Sequence, residues 1–329
     1  MTNPGVLRLR SLSTAQARLR VQGPDARRYL HGMVSNDVKG LRPGLGCHAC
    51  LLSVKGKLIG DLVVLDLGDE GLLLLLAAAA RDGVHKALDR HLIMDNATLG
   101  DASTEIDALQ LIGDGAATAL TAHMPSLAAG ELSSLPRYGF ATADTAEGPL
   151  RVVAFPSLGP PTWCVLGPAG PLAALRQALL AGGAVTIDEA EAEILRVEAG
   201  LPEYGRDLDE DRMPAEAGLD DAVSYNKGCY LGQEVVVRLR DRGHLNRKLC
   251  GLRFASATVI PAVGSKLRSA DRPQAAVLTS VVRSPRFGVI ALGYVHRSAW
   301  EVGTQLELLG PSDEASGQHA TVVALPFSQ

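Results

Sequence analysis

The early part of the chain has a hydrophobic pattern that predicts two strands joined by a tight turn. Apolar residues fill most of Leu58 to Leu67 and all of Leu72 to Leu76, and the turn Gly68-Asp69-Glu70-Gly71 between them carries the glycines typical of a hairpin. Asp61 falls early in the first strand, on the same face as Val63 by the two-residue period. A carboxylate on an apolar face needs a partner, because burying it unpaired costs several kcal/mol. Asp61 is therefore either a site residue or a strand-entry residue.

Farther along, segments with strand and helix patterns follow one another between residues 108 and 186. We predict strands at 108–112, 152–155 and 163–166, and helices at 116–123 and 171–181. A strand, a helix, two strands and a second helix in this order are typical of a split βαβ unit. The pattern therefore predicts a ferredoxin-like lobe over 108–186.

A further helix is predicted from Ile187 to Ala199. Thr186 and Glu189 have the spacing of a capping box, and Gly200 with Pro202 ends the helix. Glu198 falls in the last turn, where the helix dipole disfavours an anion by about 0.3 to 1 kcal/mol. A carboxylate in this position is either solvated or binds a ligand with paired N–H donors.

From Val235 the sequence alternates in a way that predicts a strand. In that strand Arg238, Arg240 and Arg242 share one face, with the valines and Leu239 on the other. The arginine face is either solvated or binds carboxylates or phosphates. The remaining strands, separated by Gly, Pro and Ser turns, predict a small antiparallel barrel; they are 248–254, 277–282, 287–294, 306–309 and 320–324.

Composition limits the function classes. The chain has 329 residues, 47% of them hydrophobic, which is enough for two or three globular cores. A net charge of -4 argues against a protein that coats nucleic acid. Five cysteines, an odd number, fit a reducing compartment better than a disulfide framework, and the N-terminal residues lack a signal-peptide core. We therefore expect a cytoplasmic protein without membrane association.

The richest stretch in chemistry is Lys227-Gly228-Cys229-Tyr230-Leu231-Gly232-Gln233-Glu234. Glycines on both sides of Cys229 allow close backbone approach or positive φ, which favours a presented thiol over a packed one. A neighbouring cation such as Lys227 and free backbone amides favour the thiolate. The alternative is that Cys229 is a small hydrophobe in a turn.

Two other polar segments have more than one interpretation. Cys47-His48-Ala49-Cys50 is a Cys-x-x-Cys, but one pair is too few for a structural zinc site, so we predict a strand with small buried side chains and no metal. Asn36 and Asp37 follow a short predicted helix and are turn formers or ligand-site residues.

The Lys-Gly-Cys-Tyr-x-Gly-Gln-Glu string resembles the signature of the YgfZ-type folate-binding proteins, which are relatives of the glycine-cleavage T-protein (aminomethyltransferase). The similarity extends to Leu195-Arg196-Val197-Glu198-Ala199-Gly200-Leu201-Pro202, to Tyr204-Gly205-Arg206-Asp207 and to the segment from Leu30 to Asp61. The resemblance implies an α+β, multi-lobed T-protein-like fold with a C-terminal antiparallel barrel. We expect a folate-binding region over 1–245 and the barrel over 246–329.

The same resemblance implies roles for individual residues. Tetrahydrofolate, or a one-carbon derivative, is the expected cofactor, with its pterin bound by Glu198 and its reactive nitrogens beside Asp61. Arg196, Tyr230 and Gln233 are expected at the folate site, and Arg238 and Arg240 are expected to bind the glutamate tail. Cys229, assisted by Lys227, is the expected functional thiol, which would attack a bond, ligate a transient iron or hold a partner.

Two functions follow from the resemblance. In the first, the chain is a tetrahydrofolate-binding accessory protein for the assembly or repair of iron-sulfur proteins, including tRNA-modifying enzymes. Its partners would be iron-sulfur clients or assembly proteins, without direct nucleic-acid binding. In the second, it is a folate-dependent one-carbon transferase, either an aminomethyltransferase or a demethylase. Cys229 favours the first, because aminomethyltransferases lack this cysteine, whereas Asp61 favours the second.

Overall fold

The computed structural model describes residues 6–255, 260–310, 312 and 314–328. Sheets dominate these residues, and helices cover or connect them. The α-helices are α1 (Ala26–Met33), α2 (Arg81–Asp89), α3 (Ala116–His123), α4 (Ala129–Ser134), α5 (Ala169–Ala181), α6 (Glu189–Glu198) and α7 (Gln233–Arg242). None of the helices in the described ranges is long and apolar enough to cross a membrane.

The first sheet is built around the predicted hairpin. Its strands are β2 (Gln16–Gln22), β3 (Gly46–Leu52), β4 (Leu58–Asp66), β5 (Leu72–Ala77) and β6 (Thr98–Asp101), in the spatial order β3-β4-β5-β2-β6. Gly68 and Gly71, at the two ends of the turn between β4 and β5, both have positive φ. The hairpin prediction is confirmed, because the turn has a backbone conformation that favours glycine at those positions. The strand predicted over Cys47-His48-Ala49-Cys50 is also confirmed, as part of β3.

The second sheet contains the predicted split βαβ unit and one strand from the N-terminal end. Its strands are β1 (Arg8–Ser11), β7 (Asp107–Ile112), β8 (Phe140–Ala143), β9 (Leu150–Phe155), β10 (Thr162–Gly167) and β11 (Val185–Thr186), in the order β11-β1-β7-β10-β9-β8. Strand β10 is antiparallel to both β7 and β9, so β7 and β9 are parallel with β10 between them. Strand β1, which the sequence pattern did not reveal, lies between β7 and β11.

The C-terminal strands form a closed barrel, as predicted. They are β12 (Arg247–Phe254), β13 (Lys266–Ser269), β14 (Arg272–Ser284), β15 (Gly288–His296), β16 (Gln305–Leu309) and β17 (Ala315–Val323), in the order β12-β15-β14-β13-β16-β17. Pairing of β12 with β17 closes the barrel. Helix α6 packs on its outside, where Val197 joins a buried cluster with Phe287, Ile290 and Phe327.

The chain divides into two compact units. One runs up to Asp188 and includes Asp221–Gln233, and the other comprises Glu189–Asp220 and Glu234–Gln329. The unit with the barrel thus also contains α6 and nearly all of α7. The expected separation into 1–245 and 246–329 stays a prediction.

The strand predicted from Val235 is wrong, because α7 is a helix. At about 100° per residue, Arg238 and Arg242 lie near one side of the helix while Arg240 lies toward the other. Arg238 pairs with Glu234 one turn earlier, and Arg240 pairs with Asp241. The arginines therefore form no common face, and the basis for a row that binds a folate tail is lost.

Candidate functional site

Asp61 and His48 meet on one face of the first sheet. In the antiparallel register of β3 and β4, His48 lies opposite Val63 and Cys50 lies opposite Asp61, so His48 and Asp61 are diagonal neighbours on the same face. Nε2 of His48 lies 2.5 Å from Oδ1 of Asp61. The partner that Asp61 requires on an apolar strand face is therefore His48.

The second ring nitrogen of His48 contacts another carboxylate. Nδ1 lies 3.1 Å from Oδ1 of Asp221, and Nη1 of Arg137 lies 2.7 Å from Oδ2 of Asp221. A carboxylate at each nitrogen favours the imidazolium, which has an N–H donor at both positions. Burial acts to lower the pKa of His48, but the charges and hydrogen bonds of Asp61 and Asp221 outweigh it and raise the pKa to about 9. The hydrogen bond from His48 is also the main cause of a lowered pKa for Asp221.

Asn36 fixes the backbone on both sides of this arrangement. Its amide nitrogen donates to the carbonyl oxygens of His48, at 2.8 Å, and of Asp221, at 2.9 Å. Its side-chain oxygen accepts from the backbone N–H of Asp37, at 2.8 Å. Asn36 thus shapes its own loop, as a turn former does, and also ties β3 to the turn that carries Asp221. A contact between Asn36 and a ligand stays a prediction.

Lys227 is committed to the loop that follows α1. Its ammonium group donates to the carbonyl oxygens of His31, of Val34 at 2.6 Å and of Asn36 at 3.0 Å. Burial is the main reason that the pKa of Lys227 falls to about 8. All three of its donors serve the main chain. Its charge also acts to lower the pKa of the Cys47 thiol, although burial raises that pKa to about 12. The expectation that Lys227 assists the thiol of Cys229 stays a prediction.

The loop after Lys227 carries an exposed thiol. Cys229 is exposed, whereas Cys50, Cys164 and Cys250 are buried. Gly232 has a φ of +80°, and a β-carbon there would lie 2.4 Å from the carbonyl oxygen of Ser53. Gly228 differs, because a β-carbon there would meet no heavy atom of the described residues within 4 Å. The backbone conformation and the close contact with Ser53 thus require glycine at position 232, whereas position 228 has room for a β-carbon.

Tyr230 and Gln233 complete this loop. Tyr230 is buried, its backbone N–H donates to the side-chain oxygen of Gln233 at 3.2 Å, and its ring centroid lies 5.0 Å from Nζ of Lys227. These contacts fold the loop back on itself. The expected folate contacts of both residues stay predictions.

Arg196, in the other unit, has all five of its N–H donors bonded to protein acceptors. Nε and Nη2 donate to Glu193, at 2.9 and 2.7 Å, and Nη2 also donates to Ser280, at 2.7 Å. Nη1 donates to Asp207, at 2.6 Å, and to the carbonyl oxygen of Leu201, at 2.5 Å. Arg196 therefore has no donor left for a ligand, and it fastens α6 to Asp207 and to the barrel strand β14.

Glu198 is the last residue of α6, and its side chain is buried. One carboxylate oxygen accepts from the hydroxyl of Ser284, at 2.5 Å, and the other lies 3.3 Å from Nη1 of Arg286. The solvated alternative does not hold, because only 6% of Glu198 is exposed. Arg286 and Ser284 offset the unfavourable position at the helix C-terminus. Its role as the pterin contact stays a prediction.

His48, Asp221 and Arg137 were missed by reasoning from the sequence. The Cys-x-x-Cys draws attention to its thiols, although the side chain of that segment that contacts Asp61 and Asp221 is the histidine between them. Pairing the strand that contains His48 with the one that contains Asp61 would have placed the two side chains on one face. No sequence signal marks Asp221, which is 173 residues from His48.

Comparisons with known proteins agree on the family. The model described as the GCVT N-terminal domain matches residues 13–227. An aminomethyltransferase of Prochlorococcus marinus (strain MIT 9313) is 30% identical over 324 residues, which cover 94% of this chain and 83% of that protein. An aminomethyltransferase of Rubrobacter xylanophilus is 31% identical over 294 residues, covering 83% of this chain and 72% of that protein.

A solved structure shows the same fold. The crystal structure of glycine cleavage system aminomethyltransferase T from Bartonella henselae superposes with a TM-score of 0.86 at 22% sequence identity. The match covers 98% of this chain and 87% of that one. The predicted T-protein-like α+β fold is therefore confirmed. Together, the matched family model and the long alignments show that the chain belongs to the GCVT N-terminal domain family of aminomethyltransferase-like proteins.

Proposed function

We propose that this chain binds tetrahydrofolate and transfers a one-carbon group to or from it. The observation that carries the proposal is the state of Asp61. Its side chain is 23% exposed, one oxygen is held by His48, and Oδ2 has no hydrogen-bond partner among the described residues. A carboxylate with one fixed and one available oxygen is suited to accept a hydrogen bond from a ligand N–H or to orient an amine.

This chemistry fits the ligand expected from the family. When bound, tetrahydrofolate supplies the nitrogens that carry the one-carbon unit. Asp61 offers them an acceptor that is already oriented by the protein, which lowers the cost of ordering the site when the ligand arrives. The relatives named above are aminomethyltransferases, which supports a transferase activity of this type.

The test is a calorimetric titration of the purified protein with tetrahydrofolate, beside an assay of aminomethyl transfer. We expect binding and turnover by the wild-type chain and a loss of at least about tenfold in turnover for Asp61→Asn. Asp69→Asn, in the exposed turn between β4 and β5, is the matched control and should behave as wild type. No binding of tetrahydrofolate would refute the proposal, and binding without turnover would refute the transferase half of it.

A second candidate function is favoured by a different observation, which is the exposed thiol of Cys229. In that case the chain is a YgfZ-type accessory protein that binds folate and supports the assembly or repair of iron-sulfur proteins, including tRNA-modifying enzymes. Its partners would be iron-sulfur client or assembly proteins, without direct nucleic-acid binding. The proposed compartment is the cytoplasm, because five free cysteines fit a reducing environment.

The two candidates are separated by Cys229→Ser. An accessory role requires that the serine variant bind tetrahydrofolate but fail to restore the activity of iron-sulfur enzymes in a deletion strain. Cys164→Ser, at a buried thiol, is the control for general effects of losing a cysteine. Full rescue by Cys229→Ser would leave the transferase as the better candidate.

A further inference from the structure

We propose that His48 is a positioning residue for the chemistry at Asp61, an imidazolium held between two carboxylates that fixes which oxygen of Asp61 faces the ligand. The inference rests on the proposed function at Asp61. It adds to that site a residue to which the family resemblance assigns no role.

A relay of alternating charges joins four side chains in the order Arg137, Asp221, His48 and Asp61. Arg137 contacts Asp221 at 2.7 Å, Asp221 contacts His48 at 3.1 Å, and His48 contacts Asp61 at 2.5 Å. Two cations and two anions in sequence leave the group close to neutral. The relay begins at a half-exposed arginine and ends at the one carboxylate oxygen, Oδ2 of Asp61, that has no partner within the described ranges.

The imidazole ring is held from several directions. Its side chain is 9% exposed, both nitrogens are bonded to carboxylates, and its backbone carbonyl oxygen accepts from Asn36. The ring of Tyr138 lies against it with the centroids 6.0 Å apart. A ring with both nitrogens engaged cannot rotate without breaking two charge-assisted hydrogen bonds.

Tyr138 shows that the backbone near this ring is also strained. Its φ of +64° is a conformation that non-glycine residues adopt rarely and only at an energetic cost. Its hydroxyl accepts from Arg137 at 3.0 Å, and the Arg137 guanidinium lies 4.9 Å from the Tyr138 ring centroid. Tyr138 thus contacts both cations of the relay. Strain of this kind persists where the surroundings hold it, and it is frequent at functional sites.

The charged groups around His48 define its response to pH. Asp61 faces it from β4, Asp221 faces it from the turn at Asp220–Ala222, and Arg137 reaches it through Asp221. With the pKa of His48 raised to about 9, the imidazolium persists at neutral pH. Loss of its proton above that pH removes a donor from one of the two carboxylates and gives the relay a net negative charge. The orientation of Asp61 should therefore weaken as the pH rises through about 9.

Two amide substitutions separate positioning from simple structural support. In His48→Gln the amide nitrogen replaces Nε2 and keeps the donor toward Asp61, whereas in His48→Asn it replaces Nδ1 and keeps the donor toward Asp221. Both remove the charge. If His48 acts through Asp61, turnover should fall by about tenfold or more in His48→Asn and by less than about threefold in His48→Gln, with KM for tetrahydrofolate little changed.

Two measurements decide the outcome. NMR titration of the His48 ring, which needs no ligand, should give a pKa near 9 in the wild type and a lower value in Asp61→Asn. The pH profile of turnover should fall near that pKa in the wild type and be flat there in His48→Gln. An ordinary pKa near 6.5, or equal losses in the two amide variants, would overturn the positioning role even if the wild type turns over. A wild-type chain that does not bind tetrahydrofolate would overturn the proposed function and this inference together, whatever the NMR titration gives.

Discussion

The backbone of Gly232 lies so close to Ser53 that a β-carbon on the glycine would come within 2.4 Å of the serine carbonyl oxygen. The contact joins the loop that carries Cys229 to the turn between β3 and β4. Gly232 also has a φ of +80°, which costs an L-residue roughly 1 to 2 kcal/mol. Position 232 therefore excludes a side chain for two independent reasons.

Gly232→Ala should destabilise the protein by roughly 2 kcal/mol or more, because it adds a steric clash to an unfavourable backbone conformation. Urea denaturation measures the change. Gly228→Ala is the matched control, since a β-carbon there meets no described heavy atom within 4 Å, and it should stay within about 0.5 kcal/mol of wild type. Equal effects of the two substitutions would contradict the structural difference between these glycines.

Cys229 should be the first cysteine to react with iodoacetamide at neutral pH. It is the exposed thiol, whereas burial raises the pKa of Cys47 and Cys164 to about 12 and that of Cys250 to about 11. A thiol must be both accessible and deprotonated to be alkylated. Peptide mass spectrometry over a time course gives the order of modification. Faster labelling of Cys164 or Cys250 would show that the loop covers Cys229 in solution.

The relay at His48 predicts a dependence of stability on pH. The folded-state pKa of about 9 lies above the ordinary value of 6.5, so the stabilisation is fully present below about pH 6.5 and is lost as the pH rises through 9. Its upper limit is about 3 kcal/mol, at 1.36 kcal/mol per pKa unit. Lys227 acts in the opposite sense. Its pKa is lowered to about 8, so the free-energy cost of burying its charge is present at low pH and disappears as the pH rises.

Lys227 contributes equally to the free energy of unfolding of the wild type and of His48→Gln. Subtracting one free energy from the other therefore cancels its contribution. We expect their free energies of unfolding, measured in urea from about pH 6 to about pH 10, to converge toward the alkaline end. A difference that is constant over this range would mean that His48 is not held as an imidazolium.

Arg196 should be among the most sensitive positions of the unit that contains the barrel. Arg196→Met leaves the buried carboxylate of Asp207 without its ion partner, and breaking such a pair typically costs about 3 to 5 kcal/mol. Arg238→Met removes an exposed pair with Glu234 and should cost less than about 1 kcal/mol. Thermal unfolding of the two variants compares them directly, and similar melting temperatures would argue against the buried network.

Glu198→Gln tests the predicted pterin contact with less damage than alanine would cause. Glutamine keeps an acceptor for the Ser284 hydroxyl. It removes the negative charge that strengthens both the contact with Arg286 and the predicted hydrogen bond from a pterin N–H. Affinity for tetrahydrofolate should fall by at least about tenfold, as expected for a lost charge-assisted hydrogen bond. Unchanged affinity in a calorimetric titration would limit Glu198 to joining α6 to the barrel.

Local patterns sufficed for the parts of the fold that local interactions determine. The β4–β5 hairpin and five of the six barrel strands follow from hydrophobic patterning and turn residues within short windows, whereas the short strand β13 was not predicted. Helix α7 was mistaken for a strand because its valines favour strands and its arginines alternate with apolar residues. A segment this short fits either period, and its buried residue, Val236, together with the Glu234–Arg238 pair one turn apart, settles it as a helix.

The site was predictable only in part for a similar reason. The need for a partner at Asp61 follows from one strand, but the identity of that partner depends on how β3 pairs with β4. Asp221 and Arg137 come from distant segments that no periodicity connects to His48. The hydrogen bonds of Lys227 were not predictable from the sequence either, because its acceptors are backbone carbonyl oxygens, which every residue carries.

The place of β1 in the second sheet has a consequence for the order in which the protein folds. This strand is synthesised before either of its neighbours, which contain Ile112 and Val185. Until β11 has been synthesised, β1 has no partner strand on one of its sides, and such an unpaired strand is the kind of surface that other chains can extend. A fragment 108–186 produced alone would lack the strand that joins β7 to β11 and should aggregate. Joining residues 6–12 to its C-terminal end through a flexible linker should restore a soluble domain.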